Sequence, residues 1–259
     1  MKDKSYGKAN PKAIPLARIE GGNSEENKKI IYLIKDEQKG LEEIKITKGT
    51  LRVLPRFDKV EKIYISGISG AGKSFWCRMW LEEYLKKSHK EDAVYLISSV
   101  SYDKNLDDIF EDNLERIPID SSLVTDPIDP EDLTDCVCLL DDIDSIKSGA
   151  IKSELIGLRD TLLEIGRHGN CRMLCTSHVL RNYKATLRLI NEASTTVLFP
   201  KASGKKSIRT YLSLYLELTK EQIKRFFSLK SRWVSVSTQY ERYMMYDKGV
   251  IMLRDEGED

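Results

Sequence analysis

Apolar positions change period along the chain, and the changes outline its elements. Short apolar or alternating stretches at Ile30-Ile31-Tyr32-Leu33-Ile34, from Leu41 to Ile46 and from Leu51 to Leu54, broken at Lys39-Gly40 and Lys48-Gly49, predict short β-strands. Ile63-Tyr64-Ile65 predicts a buried strand. From Ser74 to Lys87 the period lengthens, with Phe75, Met79, Leu81 and Leu85 at helical spacing, and Ala93 to Ile97 returns to a strand. A β-α-β unit of this kind joins parallel strands through a right-handed crossover. Leu106 to Leu114 reads as a short acidic helix and Arg116 to Ile119 as a short strand, with Asp126-Pro127 and Asp129-Pro130 marking a loop. Cys136 to Leu140 is the next strong strand, followed by a helix from about Ile151 to Ile165 and a strand from Arg172 to Thr176. A polar connection, Ser177 to Asn191, leads to the strand Thr195 to Phe199. The basic run Lys205-Lys206-Ser207-Ile208-Arg209 then precedes a helical pattern from Lys220 to Leu229. Two β-like stretches, Trp233 to Ser237 and Tyr243 to Leu253, close the chain before an acidic tail.

Strands alternating with helices predict an α/β fold with an open, mostly parallel sheet and ligand-binding loops at the carboxyl ends of its strands. A chain of 259 residues buries one full α/β core with room for appendages. Residues 1–27, rich in Lys, Asn, Gly and Glu and without periodicity, read as a flexible N-terminal arm, or one that orders only against a neighbour. Residues 28–60 form a short β-rich N-terminal segment, 61–215 the core, and 216–259 a C-terminal helix and β-rich extension with the acidic tail. The formal charge of +1 mixes many charges of both signs, so any basic surface for nucleic acid must be local. No apolar run approaches the roughly 20 residues that span a bilayer, and the charged N-terminus lacks the apolar core of a secretory signal. A cytosolic protein without membrane insertion is expected. Cys77, Cys136, Cys138, Cys171 and Cys175 fall mostly inside apolar segments, which suggests reduced, packed thiols; neither close pair has the C-x₂-C spacing of a zinc site.

The most specific chemistry lies in Gly67-Ile68-Ser69-Gly70-Ala71-Gly72-Lys73-Ser74, which completes the phosphate-loop pattern G-x-x-x-x-G-K-[ST] between a strand and a helix. Glycines 67, 70 and 72 let the backbone turn tightly, so that the N–H groups of the loop, from Gly67 and Ser69 through Ala71 to Phe75, surround a phosphate. Lys73 is expected at the β- and γ-phosphates and Ser74 on Mg²⁺. The apolar strand ending in Asp141-Asp142 supplies the acidic half of such a site. Asp141 is expected to stabilise Mg²⁺ and Asp142 to activate the attacking water, with capping of the next helix the plainer reading of Asp142 and Asp144. A strand-helix segment between phosphate loop and acidic strand keeps those two strands from being neighbours and favours a RecA-like P-loop NTPase core. No Asn-Lys-x-Asp guanine-reading motif occurs, so ATP is the expected nucleotide.

Arg159 to His178, with Gly166-Arg167-His168-Gly169-Asn170 before the strand Cys171 to His178, resembles the corresponding segment of the FtsK–HerA superfamily of DNA-pumping ATPases. Leu189-Ile190-Asn191, Thr196-Val197-Leu198-Phe199 and Ser207-Ile208-Arg209-Thr210 continue the likeness, which covers about residues 60–215. The Asp-Asp ending and short C-terminal extension are most similar to the DNA-packaging ATPases of large double-stranded DNA viruses and their smaller relatives. The resemblance implies an ATP-driven double-stranded DNA translocase that packages a viral genome. It further implies a hexameric or pentameric ring of identical subunits, capsid or portal partners, and work in the host cytoplasm or the virion. It places Arg167 as the arginine that enters the neighbouring subunit's site, and Ser177, with His178 beside it, where the superfamily carries a polar sensor, usually glutamine. Lys201, Lys205, Lys206 and Arg209 surround Gly204 as a candidate DNA-facing basic turn. The alternatives are a related DNA export or conjugation motor, and a nucleotide-dependent switch or small-molecule kinase that does not act on DNA.

Overall fold

The computed structural model describes residues 13–22, 27–34, 43–86, 89–181, 183–202, 204–239 and 241–253. The chain opens with strands β1 (Ala13–Glu20), β2 (Ile30–Ile34), β3 (Glu43–Lys45) and β4 (Thr50–Val53), then β5 (Lys62–Ser66), helix α1 (Lys73–Tyr84), β6 (Val94–Ser98) and β7 (Leu114–Arg116). A short helix α2 (Ser122–Thr125) precedes β8 (Val137–Asp141), α3 (Gly149–Ile165), β9 (Arg172–Ser177), α4 (Tyr183–Glu192) and β10 (Thr195–Leu198). Helices α5 (Lys205–Leu214) and α6 (Lys220–Ser228) lead to β11 (Val234–Ser237), β12 (Tyr243–Tyr246) and β13 (Gly249–Met252).

Ten strands form one sheet in the order β3-β13-β12-β11-β10-β5-β9-β8-β6-β7. From β10 to β7 every pairing is parallel, and from β10 through β11, β12 and β13 to β3 every pairing is antiparallel. Strand β9 lies between β5 and β8, so the phosphate-loop strand and the acidic strand are separated as the intervening segment implies. The parallel strands are buried on both faces and therefore read as unbroken apolar runs. Ile63, Ile65, Leu139 and Leu174 share one apolar cluster with Trp76 and Trp80 of α1, while Tyr64, Cys138, Leu140 and Met173 share the other with α3, α4, α5 and α6. All five cysteines are buried and free of disulfides.

Five expectations change. Within the expected arm, residues 13–20 form β1, the middle strand of a separate sheet ordered β2-β1-β4; residues 1–12 lie outside the described ones. Ile14, Leu16, Ala17 and Ile19 join the core on the α1 side, and Arg18 and Arg52 pair with Glu83 and Glu82 of α1. The Lys-, Asn- and Gly-rich surroundings hide this strand in the sequence, because its worth comes from packing on a helix far along the chain. The expected acidic helix at Leu106–Leu114 is instead a succession of turns. Aspartates compete there for the backbone: the Asp107 carboxylate accepts from the Asp103 N–H at 2.7 Å and from the Arg116 guanidinium at 2.6 Å. The strand that follows is Leu114–Arg116, so the pairing starts two residues earlier than the expected Arg116. Finally, the polar connection contains α4, which buries Leu189 and Ile190, and the basic turn is the start of α5, which buries Ile208, Tyr211 and Leu212. Lys and Arg interspersed in both segments mask the amphipathic stripes in the sequence.

Candidate active site

The phosphate loop leaves the carboxyl end of β5 and is shaped by close packing and backbone sign. A Cβ on Gly67 would lie 2.7 Å from the Phe199 ring and 2.9 Å from the Ala71 Cβ, so only glycine fits there. Gly70 and Gly72 have φ of +73° and +114°, conformations that side-chain-bearing residues rarely adopt. The Gly67 N–H donates to Ser177 O at 3.0 Å, tying the loop to β9, and Ala71 N–H closes an inner turn on Ile68 O at 3.1 Å. Gly72 is the N-cap of α1, and Lys73, Ser74 and Phe75 form the first helical turn. Free N–H groups and the positive end of the helix dipole therefore face the hollow of the loop.

Lys73 is buried, and its ammonium donates to Gly67 O at 3.0 Å and stands 3.2 Å from Asp142 Oδ2 and 3.3 Å from His178 Nδ1. His178 Nε2 in turn lies 2.8 Å from Asp142 Oδ2. Asp141, the last residue of β8, is held by donors from both neighbouring strands: Ser98 Oγ of β6 at 2.8 Å and Thr176 Oγ1 of β9 at 2.7 Å. Thr176 Oγ1 also lies 3.1 Å from Asp142 Oδ1 and accepts from the Asp142 N–H at 3.0 Å, so one hydroxyl indexes both carboxylates. Asp142 adopts a left-handed φ of +49°, a bend that Asp tolerates better than most residues and that turns its carboxylate toward Lys73. Burial pushes the Asp142 carboxyl above the ordinary range; Lys73 opposes that, Asp141 adds to it, and His178 opposes it.

Asp142 makes no side-chain cap to the 3-10 turn that follows it. Asp144 does not cap either: its Oδ2 accepts from Ser177 Oγ at 3.0 Å. That bond engages the Ser177 hydroxyl away from Lys73. The hydroxyl is buried and engaged with Asp144 and with the backbone of Val179 at 2.9 and 3.0 Å; the side chain that meets Lys73 and Asp142 is His178. Arg167 sits at the other edge of the sheet. Its charge, after burial, helps lower the pKa of Lys62 at the amino end of β5, about 16 Å of strand away from the phosphate loop. Lys201, Lys205 and Lys206 are exposed at the carboxyl end of β10, the same edge as the loop, while the Arg209 guanidinium lies over the Phe227 ring at 5.5 Å.

Ser98, Thr176 and Arg232 belong to the site without a motif that marks them in the sequence. Arg232, just before β11, donates from Nε to Ala71 O at 3.0 Å and from a terminal nitrogen to Gly70 O at 3.1 Å. A hydroxyl residue aligned with Asp141 in the next strand is a signal available only once the strand order is known. Among the described residues no group of three or more His, Cys, Asp or Glu side chains could hold a metal ion. The oxygens at hand are the carboxylates of Asp141 and Asp142 at the end of β8, with Ser74 in the first turn of α1. That sparse oxygen set suits Mg²⁺ bound chiefly by nucleotide phosphates and water. No helix among the described residues is long and apolar enough to cross a membrane.

No protein-family model matches the chain. It is 32% identical to the uncharacterized protein V3 of Sputnik virophage over 247 residues, 95% of this chain and 98% of V3. Among solved structures, the pCW3 conjugation coupling protein TcpA, in its monomer form with ATPγS, is similar with a TM-score of 0.52 at 14% identity, over 90% of this chain and 77% of TcpA. The genome packaging NTPase B204 from Sulfolobus turreted icosahedral virus 2, with ATPγS, has a TM-score of 0.47 at 14% identity, over 73% of this chain and 97% of B204. The likeness to TcpA shows a shared fold.

Proposed function

We propose, since the chain belongs to the family of the Sputnik virophage protein V3 and has the P-loop ATPase fold of the FtsK–HerA type, that it is an ATP-driven motor that moves double-stranded DNA into a viral particle. The observation that carries the reading is the convergence of Lys73, Asp142 and His178 at the mouth of the phosphate loop, with Asp141 indexed beside them. In the free chain Lys73 is paired with Asp142. ATP entering the loop gives Lys73 a stronger partner in its β- and γ-phosphates, and the exchange frees Asp142 to take a proton from the attacking water. A carboxyl raised by burial is better matched to that task than an ordinary one. His178 stays on Asp142 and faces the γ-phosphoryl group. Ser74 and Asp141 would hold Mg²⁺, which would supply charge neutralisation at the phosphates.

Arg167, out of reach of its own loop, acts on a neighbour's site in a ring of identical subunits. Supporting this reading are the position of Arg167 at the amino edge of the sheet and the related fold of TcpA, a conjugation coupling protein. The basic start of α5 faces DNA. The motor works in the host cytoplasm at the site of particle assembly, with capsid or portal proteins as its docking partners.

ATP turnover with and without double-stranded DNA tests the proposal. The expected result is turnover stimulated by DNA and indifferent to small phosphate acceptors. Lys73→Ala is expected to abolish it. Asp142→Asn should keep Mg-ATP binding and lose about 10²-fold or more in rate, since an amide cannot accept the proton. Turnover insensitive to DNA would leave a nucleotide-dependent switch as the better reading, and near-normal turnover by Lys73→Ala would remove the site itself.

A further inference from the structure

The C-terminal extension enters the nucleotide site from behind. Segment 231–233 is anchored at both ends: Ser231 is buried and its hydroxyl donates to Trp233 O at 2.6 Å. Trp233 is buried edge-on against Trp76 of α1, with ring centroids 6.4 Å apart. Between them Arg232 reaches out to the phosphate loop and donates to Ala71 O at 3.0 Å and Gly70 O at 3.1 Å. Its guanidinium also lies against Gly72, where an added Cβ would come within 3.3 Å of Nε.

Each of these carbonyls shares a peptide unit with an N–H of the loop. The Gly70 carbonyl belongs with the Ala71 N–H, which closes the inner turn on Ile68 O at 3.1 Å. The Ala71 carbonyl belongs with the N–H of Gly72, the N-cap of α1. Donation to a carbonyl polarises its peptide unit and makes the N–H a better donor, and a charged donor does so more strongly than a neutral one. The same two bonds hold the loop in its tight curvature without nucleotide, at and beside Gly70 and Gly72, whose positive φ sets the bend.

We infer that Arg232 is a positioning residue for nucleotide binding: from the C-terminal extension of the same chain it braces the outside of the phosphate loop, so that the loop N–H groups meet the phosphates preformed. The inference rests on the ATPase reading and deepens it. The extension is thereby part of the site rather than an appendage. Its strand β11 pairs with β10, which pairs with β5, so the loop is held by its own strand on one side and by Arg232 on the other.

Because the brace acts on the loop and not on the γ-phosphoryl group, ADP and ATP should depend on it alike. The test is titration of the full chain with ADP and with a non-hydrolysable ATP analogue, together with steady-state ATP turnover, in the wild type, Arg232→Ala and Arg232→Lys. Arg232→Ala is expected to weaken both nucleotides about tenfold and raise KM to match, the cost of losing charge-assisted hydrogen bonds, with kcat at saturation within about threefold. Arg232→Lys, which keeps the charge but not the fork, should recover part of the affinity. Unchanged affinity for both nucleotides would overturn the inference. So would unchanged ADP affinity with a fall in kcat, because Arg232 would then touch the transferred phosphoryl group. If Arg232→Ala does not fold, the lysine variant carries the measurement, with a loss smaller than tenfold but common to both nucleotides. A wild type that binds neither nucleotide would instead sink the ATPase reading and the inference together, whereas a nucleotide-binding wild type with indifferent Arg232 variants sinks only the latter.

Discussion

Glu61 sits buried just before β5, at the end of the strand opposite the phosphate loop. Its Oε2 accepts both from the Arg56 N–H at 2.8 Å and from Trp80 Nε1 at 3.2 Å. Burial pushes its carboxyl up to about 7, opposed by the Arg56 N–H bond, the charges of Lys59 and Arg56, and the Trp80 bond. A carboxyl raised on folding contributes stability in its neutral form. That contribution is complete below the ordinary value of 4.5 and is lost as pH rises through about 7, a change on the order of 3 kcal/mol. The wild type should therefore lose stability from about pH 4.5 to 7 relative to Glu61→Gln, whose single carbonyl oxygen can keep both hydrogen bonds while removing the charge. Thermal unfolding of both proteins across that range checks it; parallel Tm curves would show that Glu61 stays ionised in the fold. Asp142 meets the same desolvation differently, with Lys73 and His178 beside its carboxylate. Nothing local in the sequence distinguishes the two: Glu61 stands among ordinary charged residues, and its environment comes from α1 and from the turn at Arg56.

Helix α5 is unusual in beginning with Lys205 and Lys206 and having no acidic residue in its first turn. Cations there oppose the helix dipole, typically by about 0.3–1 kcal/mol each, and they add to the positive potential of the N–H groups at that end. The apolar stripe of Ile208, Tyr211 and Leu212 holds the helix in place, so the two lysines are not needed for folding. Changing both to Ala should preserve the helix, since Ala is the better helix former. It should lower affinity for double-stranded DNA on unrelated sequences alike, and reduce the log-log salt dependence by up to about two counterions. ATP turnover without DNA should hardly move. Binding isotherms on two duplexes over a salt series provide the measurement; an unchanged salt slope would return α5 to an ordinary solvated helix. As a helix rather than a loop, this segment presents its charges at a fixed position, which makes the expected effect more local than a flexible turn would give.

The two edges of the main sheet divide the labour. Phosphate loop, Asp141, Asp142, His178 and the start of α5 gather at the carboxyl ends of the parallel strands, and Arg167 lies at the amino ends beside Lys62. The proposed phosphate site thus gathers at one end of the strands of a single chain, and Arg167 lies at the other. Arg167→Ala should fold and bind ATP but turn over poorly once assembled. Adding Lys73→Ala subunits, whose own sites are dead but whose Arg167 is intact, should restore part of the activity if the arginine works across an interface. Mixed assemblies showing no recovery would return Arg167 to the role of a surface residue ending α3.

The phosphate loop, the acidic strand end, the alternation of strands and helices and the β-rich extension are all legible in residue order. Each rests on interactions between near neighbours in the chain: tight glycine turns, a helix N-terminus, apolar period. The same locality explains why β1, α4 and α5 escape notice, since their apolar stripes are short, crowded by Lys, Arg and Asn, and valuable only against partners distant in sequence. Long-range packing alone sets His178 rather than Ser177 beside Lys73, because the register of β9 turns Ser177 toward Asp144 and leaves the next side chain at Lys73. It also brings Ser98 and Thr176 to either side of Asp141, and it carries Arg232 back across more than half the chain to the loop. Motifs record what a short segment can do to a ligand; which side chains converge on that segment depends on strand order, and strand order is settled by burying both faces of the sheet at once.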